Sequence, residues 1–204
     1  MSGIDKIFTE SAAVFTKRYF EYLGSMLGRI DPDQVAKFAD VILDARKEDR
    51  TVFFIGNGGS AATASHFAND VGVGTAAQGK PFRVLSLCDN ISMMTAIAND
   101  FGYEEMFLRQ LAILAKPGDV LVAISASGNS PNLLRAVEWA IDHQVLTVGL
   151  TGFDGGKLRQ LVHHSVHVPS EKGDYGPVED AHMVLDHLVS GYLGRVIRRK
   201  DSVE

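Results

Sequence analysis

Apolar and polar positions alternate along this chain with two different periods, and the change between them marks out the architecture. Over the first thirty residues Phe8, Ala12, Phe15, Tyr19, Tyr22, Met26 and Ile30 recur at steps of four and three, predicting one continuous helical stripe. An aromatic stripe of this kind must be covered, either by a second subunit or by the chain's own sheet. Asp31 and Asp33 flank Pro32 at the start of a second helix, whose buried face is Val35, Phe38, Val41, Ile42 and Ala45. From Thr51 the pattern shifts to short strands: a continuously apolar one at 51–55, then 82–87, 120–124, 145–150 and a shorter one at 165–168. Helical stretches at 61–71, 93–97, 104–114 and 133–142 separate them, and a last helix starts at Pro177 and runs to about Arg199. Apolar strands alternating with helices predict an α/β fold, a doubly wound, three-layer parallel sheet of five strands with extra N-terminal helices. The expected organisation is one domain over residues 1–204, with residues 1–49 as helices for oligomerisation and 50–204 as the core.

The strand ends carry the chemistry. The first strand runs into Gly56-Asn57-Gly58-Gly59-Ser60, and the third into Ser125-Ala126-Ser127-Gly128-Asn129-Ser130. In an open parallel sheet ligands bind beyond the carboxyl ends of the strands, where both loops fall. Glycines let backbone amides approach an anion, and Ser60 sits where the next helix presents its free N–H groups and positive dipole end. Ser125, Ser127 and Ser130 add hydroxyls, a set suited to a phosphate monoester without a lysine. Neither loop is a Walker A motif or a dinucleotide fingerprint. Tight turns and N-caps would account for either loop alone, but less well for both at equivalent strand ends.

His66 and Asp70 are four apart on the helix leaving the first loop, so they share a face. Glu179, His182, Asp186 and His187 crowd the start of the last helix. Imidazoles with carboxylates suit a divalent ion, although a His four residues before an Asp is also an ordinary helix pair. His182 is either a spare ligand or a group orienting His187. His163, His164 and His167 lack a ligand spacing and read as surface or hydrogen-bonded residues, while Cys88 and Trp139 read as packing.

Composition narrows the partners. A net charge of −5 argues against nucleic acid, and the basic run 195–200 is explained by the end of a helix. No apolar run approaches membrane-spanning length. One cysteine and no signal-peptide pattern predict a cytoplasmic protein.

Phe54-Ile55-Gly56-Asn57-Gly58-Gly59-Ser60, His66-Phe67-Ala68, Ala98-Asn99-Asp100-Phe101-Gly102, Ile124 through Ser130, and Thr151-Gly152-Phe153-Asp154-Gly155-Gly156-Lys157 together resemble the sugar isomerase (SIS) domain family, and within it the phosphoheptose isomerases. The likeness is in order and covers nearly the whole chain. It implies a flavodoxin-like sheet and aldose–ketose isomerisation of sedoheptulose 7-phosphate to D-glycero-D-manno-heptose 7-phosphate through an enediolate. It further implies a zinc ion on His66, Asp70, Glu179 and His187, with Asp70 as base and His187 as acid. Asn57, Gly58, Gly59, Ser60, Asp100, Ser125, Ser127, Ser130 and Glu179 would hold the phosphorylated sugar. The family habit implies a homotetramer with active sites between subunits. This chain has Asp70 where the family usually has glutamate, Glu179 where it has glutamine, and no arginine among Gly72, Val73 and Gly74. The alternatives are an isomerase of another sugar phosphate and a non-catalytic binding protein like the DnaA initiator-associating protein. The acid at 70 and histidine at 187, lacking in that relative, favour the enzyme. A transcriptional sugar-phosphate sensor would need a DNA-binding segment, and none is seen.

Overall fold

Five parallel strands form the centre of the computed structural model, which describes residues 2–75 and 80–201. In chain order the elements are α1 (Gly3–Ile7), α2 (Ala12–Leu27), α3 (Pro32–Lys47), β1 (Thr51–Gly56), α4 (Gly59–Gly72), β2 (Arg83–Ser86), α5 (Ile91–Phe101), a 3₁₀ turn (Tyr103–Glu105), α6 (Met106–Leu114), β3 (Val120–Ser125), α7 (Pro131–Asp142), β4 (Leu146–Thr151), α8 (Gly156–Leu161), β5 (His164–His167) and α9 (Tyr175–Asp201). The strand order is β2-β1-β3-β4-β5. The winding therefore reverses between β1 and β3, paired in register from Val52 on Val120 to Gly56 on Ile124. That reversal opens a crevice at the strand ends.

Successive strand residues face opposite sides, and each side has its own core. Val52, Phe54, Val120, Val122, Ile124, Val148 and Leu150 pack under α3, α4 and α9; Phe53, Ile55, Leu121 and Ala123 pack under α6 and α7. Every residue of β3 is buried, which explains why its sequence is a continuous apolar run rather than an alternating one. Phe67 of α4 stacks on Phe54 of β1 with ring centroids 5.2 Å apart, fixing α4 against the sheet. Along α9, Ala181, Leu185, Val189, Leu193 and Ile197 recur every four residues and are all buried. A second stripe beside them, His182, Asp186 and Ser190, is buried as well but polar.

The N-terminal segment departs from the single helix expected. Phe8 caps α1 with φ −58° and ψ 143°, an extended conformation, and α2 restarts only after Ser11. The apolar stripe consequently divides. Tyr22, Met26 and Ile30 join the chain's own core, whereas Phe8 is 64% exposed and Ala12 is exposed as well. Phe15 makes ring contacts with Phe8 and Tyr19. The N-terminal end is tied to the start of α9 by buried Asp174, whose carboxylate accepts from Ile4 N at 3.0 Å and Tyr22 Oη at 2.5 Å. Tyr19 Oη donates to Asp180. Asp31 caps α3 as expected, accepting from Asp33 N at 2.9 Å. The last helix starts at Tyr175, so Pro177 lies within its first turn, where no intrahelical N–H donor is required.

Candidate active site

Both serine loops lie at the β1/β3 reversal, β1 leading into α4 and β3 into α7. Gly58 precedes α4 with φ 55° and ψ −123°, a conformation a side chain disfavours, and this places the amides of Gly59 and Ser60 in the first turn. In the second loop Gly128 N donates to Ser125 Oγ at 3.0 Å, and Asn129 Nδ2 donates to Ser127 O at 2.8 Å. Ser130 is the N-cap of α7, yet its hydroxyl makes no capping bond. That hydroxyl is a donor of the kind an anion engages, whereas Ser60 N already donates to Asn57 O at 3.0 Å and Leu133 N to Ser130 O at 3.1 Å. A third loop braces the second: Gly152 N donates to Ala126 O at 3.1 Å, Leu158 N to Gly128 O at 2.9 Å, and Lys157 N to Asn129 Oδ1 at 3.2 Å.

The two phosphate-loop candidates are also joined directly. Asn57 Nδ2 donates to Asn132 Oδ1 and Asn132 Nδ2 to Asn57 Oδ1, both at 2.9 Å, while Tyr103 Oη donates to Asn57 Oδ1 at 2.8 Å. Sequence reasoning picked Asn57 but missed Asn132, which is 1% exposed, and Tyr103. The available signal for Asn132 was a polar residue on the buried side of α7.

Farther along α4 lies a cluster of four residues. His66, Asp70, Asp186 and His187 each offer a ligand atom, all within 4.8 Å of one another. His66 Nε2 lies 3.1 Å from His187 Nε2, 3.6 Å from Asp70 Oδ2 and 4.0 Å from Asp186 Oδ2. Of the four expected ligands, three are together: His66, Asp70 and His187. Glu179 stands apart, its carboxylate against Gly59 so closely that a Cβ there would overlap it. Burial, and then the charge of Asp180, push the Glu179 carboxyl above its ordinary range. Asp186 is the fourth member of the cluster. It is fully buried, and burial followed by the charge of Asp70 raises its carboxyl to about 7.

A divalent cation fits this donor set. Both carboxylate oxygens of Asp186 are buried without a hydrogen-bond partner among the described residues, and two imidazole nitrogens converge on the same point. A tetrahedral shell with bonds of about 2.1 Å places its ligand atoms about 3.4 Å apart, and the separations of 3.1, 3.6 and 4.0 Å bracket that value. Exposed His187 opens the cluster to a cleft lined by Asp70, Gly74, Ser190, Gly191 and Arg198.

Asp100 is exposed near the end of α5 and accepts from Asn99 Nδ2 at 2.8 Å, apart from the four-residue cluster. His182 is buried, its Nε2 at 3.4 Å from Thr151 O, and burial lowers its pKa to about 4. His163 and His167 are hydrogen-bonded to Thr147 and Thr151. Cys88 is half-buried, with its thiol on Gly56 O. An apolar groove lies elsewhere, between α3 and α9, where Leu27, Ile30, Val35, Leu188 and Tyr192 line it. No helix among the described residues is long and apolar enough to cross a membrane.

Residues 18–152 match the SIS domain family. The chain is 34% identical to the phosphoheptose isomerase of Aquifex aeolicus over 192 residues, covering 93% of each protein. The chain belongs to the SIS family, among the phosphoheptose isomerases. A second member of that group, from Akkermansia muciniphila, is 38% identical over 179 residues, 87% of this chain and 90% of the other. The structure of phosphoheptose isomerase from Neisseria gonorrhoeae superposes with a TM-score of 0.76 at 31% identity, covering 90% of this chain and 96% of that one. The parallel sheet with helices on both faces is thus the architecture of this isomerase family, and the crevice between the serine loops lies at its strand ends.

Proposed function

We propose that the protein is a metal-assisted aldose–ketose isomerase acting on an open-chain sugar phosphate, sedoheptulose 7-phosphate being the substrate and D-glycero-D-manno-heptose 7-phosphate the product. One observation carries the reading: the His66–Asp70–His187 cluster lies on and against the helix that begins in the Gly58–Ser60 loop. With 1.5 Å of rise per residue, His66 and Asp70 stand about 9 and 15 Å beyond Ser60 along the α4 axis. A phosphate held by the loops leaves the far end of a seven-carbon chain at the cluster. Asn57, Gly58, Gly59, Ser60, Ser125, Ser127 and Ser130 are the residues assigned to the phosphate end, with Asp100 and Glu179 assigned to sugar hydroxyls.

In this mechanism Asp70 takes a proton from C1, the carbon beside the C2 carbonyl, leaving an enediolate. His187 delivers a proton to C2, the O1 proton is lost as the C1 carbonyl forms, and O2 gains one. The net change moves one hydrogen from C1 to C2 and one from O1 to O2. His66, Asp70 and His187 would also hold the ion, for which zinc is the proposal. A divalent ion there supplies the positive charge that polarises the carbonyl and stabilises the enediolate oxygens. The exposed groove between α3 and α9, with the outward half of the N-terminal stripe, supports a homotetramer whose sites lie between subunits.

Metal analysis of purified protein and an NMR assay for the aldoheptose phosphate, on wild type and His187→Ala, test the proposal. Metal with turnover in wild type, and loss of turnover in the variant, are expected. Neither metal nor turnover in wild type would move the protein to the binding class. Bound metal without turnover would point to a different sugar phosphate.

A further inference from the structure

Asp186 has an environment that the fold alone does not explain. It is fully buried in α9, and neither carboxylate oxygen has a hydrogen-bond partner among the described residues. A buried, unpaired carboxylate is among the most unfavourable groups a fold can hold. Its neighbours along the helix do not relieve it. Ser190 Oγ donates at 2.8 Å to the Asp186 main-chain carbonyl rather than to the carboxylate, and His182 turns its Nε2 to Thr151 O. The carboxylate instead faces His66, with Oδ2 at 4.0 Å from Nε2. Glu179, two turns earlier on α9, has its carboxylate at Gly59, seven residues before His66 on α4. That offset is about 10 Å along the α4 axis.

We infer that Asp186 is a direct ligand of the metal ion, so that the ion is held by two imidazoles and two carboxylates, His66, His187, Asp70 and Asp186, and Glu179 is left free to face the substrate. This rests on the metal-assisted reading above. The two carboxylates give a divalent ion a hard, anionic shell. The ion in turn supplies the partner that the Asp186 oxygens lack. Without metal, Asp186 destabilises the fold; with metal, it binds the ion.

The test is metal affinity by chelator competition, with the Co²⁺ absorption spectrum as a second readout, on wild type, Asp186→Asn, Glu179→Gln and His66→Ala. Asp186→Asn should weaken binding by about 100-fold or more and alter the Co²⁺ spectrum, while Glu179→Gln changes neither. Metal-free Asp186→Asn should unfold at a higher urea concentration than metal-free wild type, which a structural aspartate would not do. Should the asparagine variant fail to fold, Asp186→Ser repeats the comparison with a smaller polar side chain. Wild-type affinity and spectrum in Asp186→Asn, with loss in Glu179→Gln and His66→Ala, would overturn this assignment and leave the metal reading standing. No stoichiometric binding by wild type would overturn both.

Discussion

Replacing Gly128 by alanine should damage the protein much more than replacing Gly58, although both have positive φ. Gly128 has φ 62°, and a Cβ added there would overlap the carbonyl oxygen of Gly155, with Gly155 C at 2.7 Å and Gly156 Cα at 3.2 Å. These are backbone atoms of the bracing loop, so relief requires moving the loop itself. The left-handed conformation costs an alanine about 1–2 kcal/mol. Separating the loops strains the bonds from Leu158 N to Gly128 O, Gly152 N to Ala126 O and Lys157 N to Asn129 Oδ1. At about 1 kcal/mol each, their loss brings the total for Gly128→Ala to about 4–5 kcal/mol. A Cβ at Gly58 meets nothing within 4 Å, so Gly58→Ala carries only torsional strain, about 1–3 kcal/mol. Urea denaturation gives both values, and thermal-shift titration with inorganic phosphate reports the anion site. Gly128→Ala should also lose most of the phosphate-induced shift, because the second serine loop is the displaced segment. A Gly128→Ala loss below about 1 kcal/mol, or a larger loss for Gly58→Ala, would refute the account of how the loops are braced.

Asn132→Ala should raise KM about tenfold with little change in kcat, since it removes the side chain holding Asn57 while leaving the acid/base groups in place; steady-state kinetics checks this. His66→Ala should abolish stoichiometric metal and turnover while leaving phosphate binding intact, read by metal analysis and thermal shift. Acid stability follows from His182, whose pKa falls from 6.5 in the unfolded chain to about 4 in the fold because it is buried. The unfolded chain takes up that proton first, so stability is complete above pH 6.5 and declines toward pH 4. The decline amounts to about 3 kcal/mol from this residue. The raised Asp186 carboxyl acts in the opposite sense over the same range, so metal-free Asp186→Asn is the protein in which urea midpoints should show the decline. A flat profile in that variant would contradict neutral burial of His182.

The strands were legible because β1 and β3 are buried on both faces and therefore write themselves as unbroken apolar runs. The phosphate loops were legible because glycine and serine at a strand-to-helix junction have a local meaning. His66 and Asp70 shared a face by helix period alone. The N-terminal break was not legible: Phe8 keeps the helical spacing of the stripe, but its extended backbone ends α1, and Asp174, more than 160 residues away, anchors what precedes it.

The sequence by itself determined most of the strands and helices, the two loops and the pairing of His66 with Asp70, because each is set by neighbours within a few residues. Only the tertiary structure decided what meets across distance. It joined Asn57 to Asn132, drew Glu179 to Gly59, and turned Asp186 rather than Glu179 toward the histidines. Glu179 and Asp186 differ by seven places on α9, two turns of one helix, so both point toward α4 at different heights. Which of them reaches His66 depends on where α9 crosses α4, and that crossing is set by the packing of Leu185, Val189 and Phe67 in the shared core.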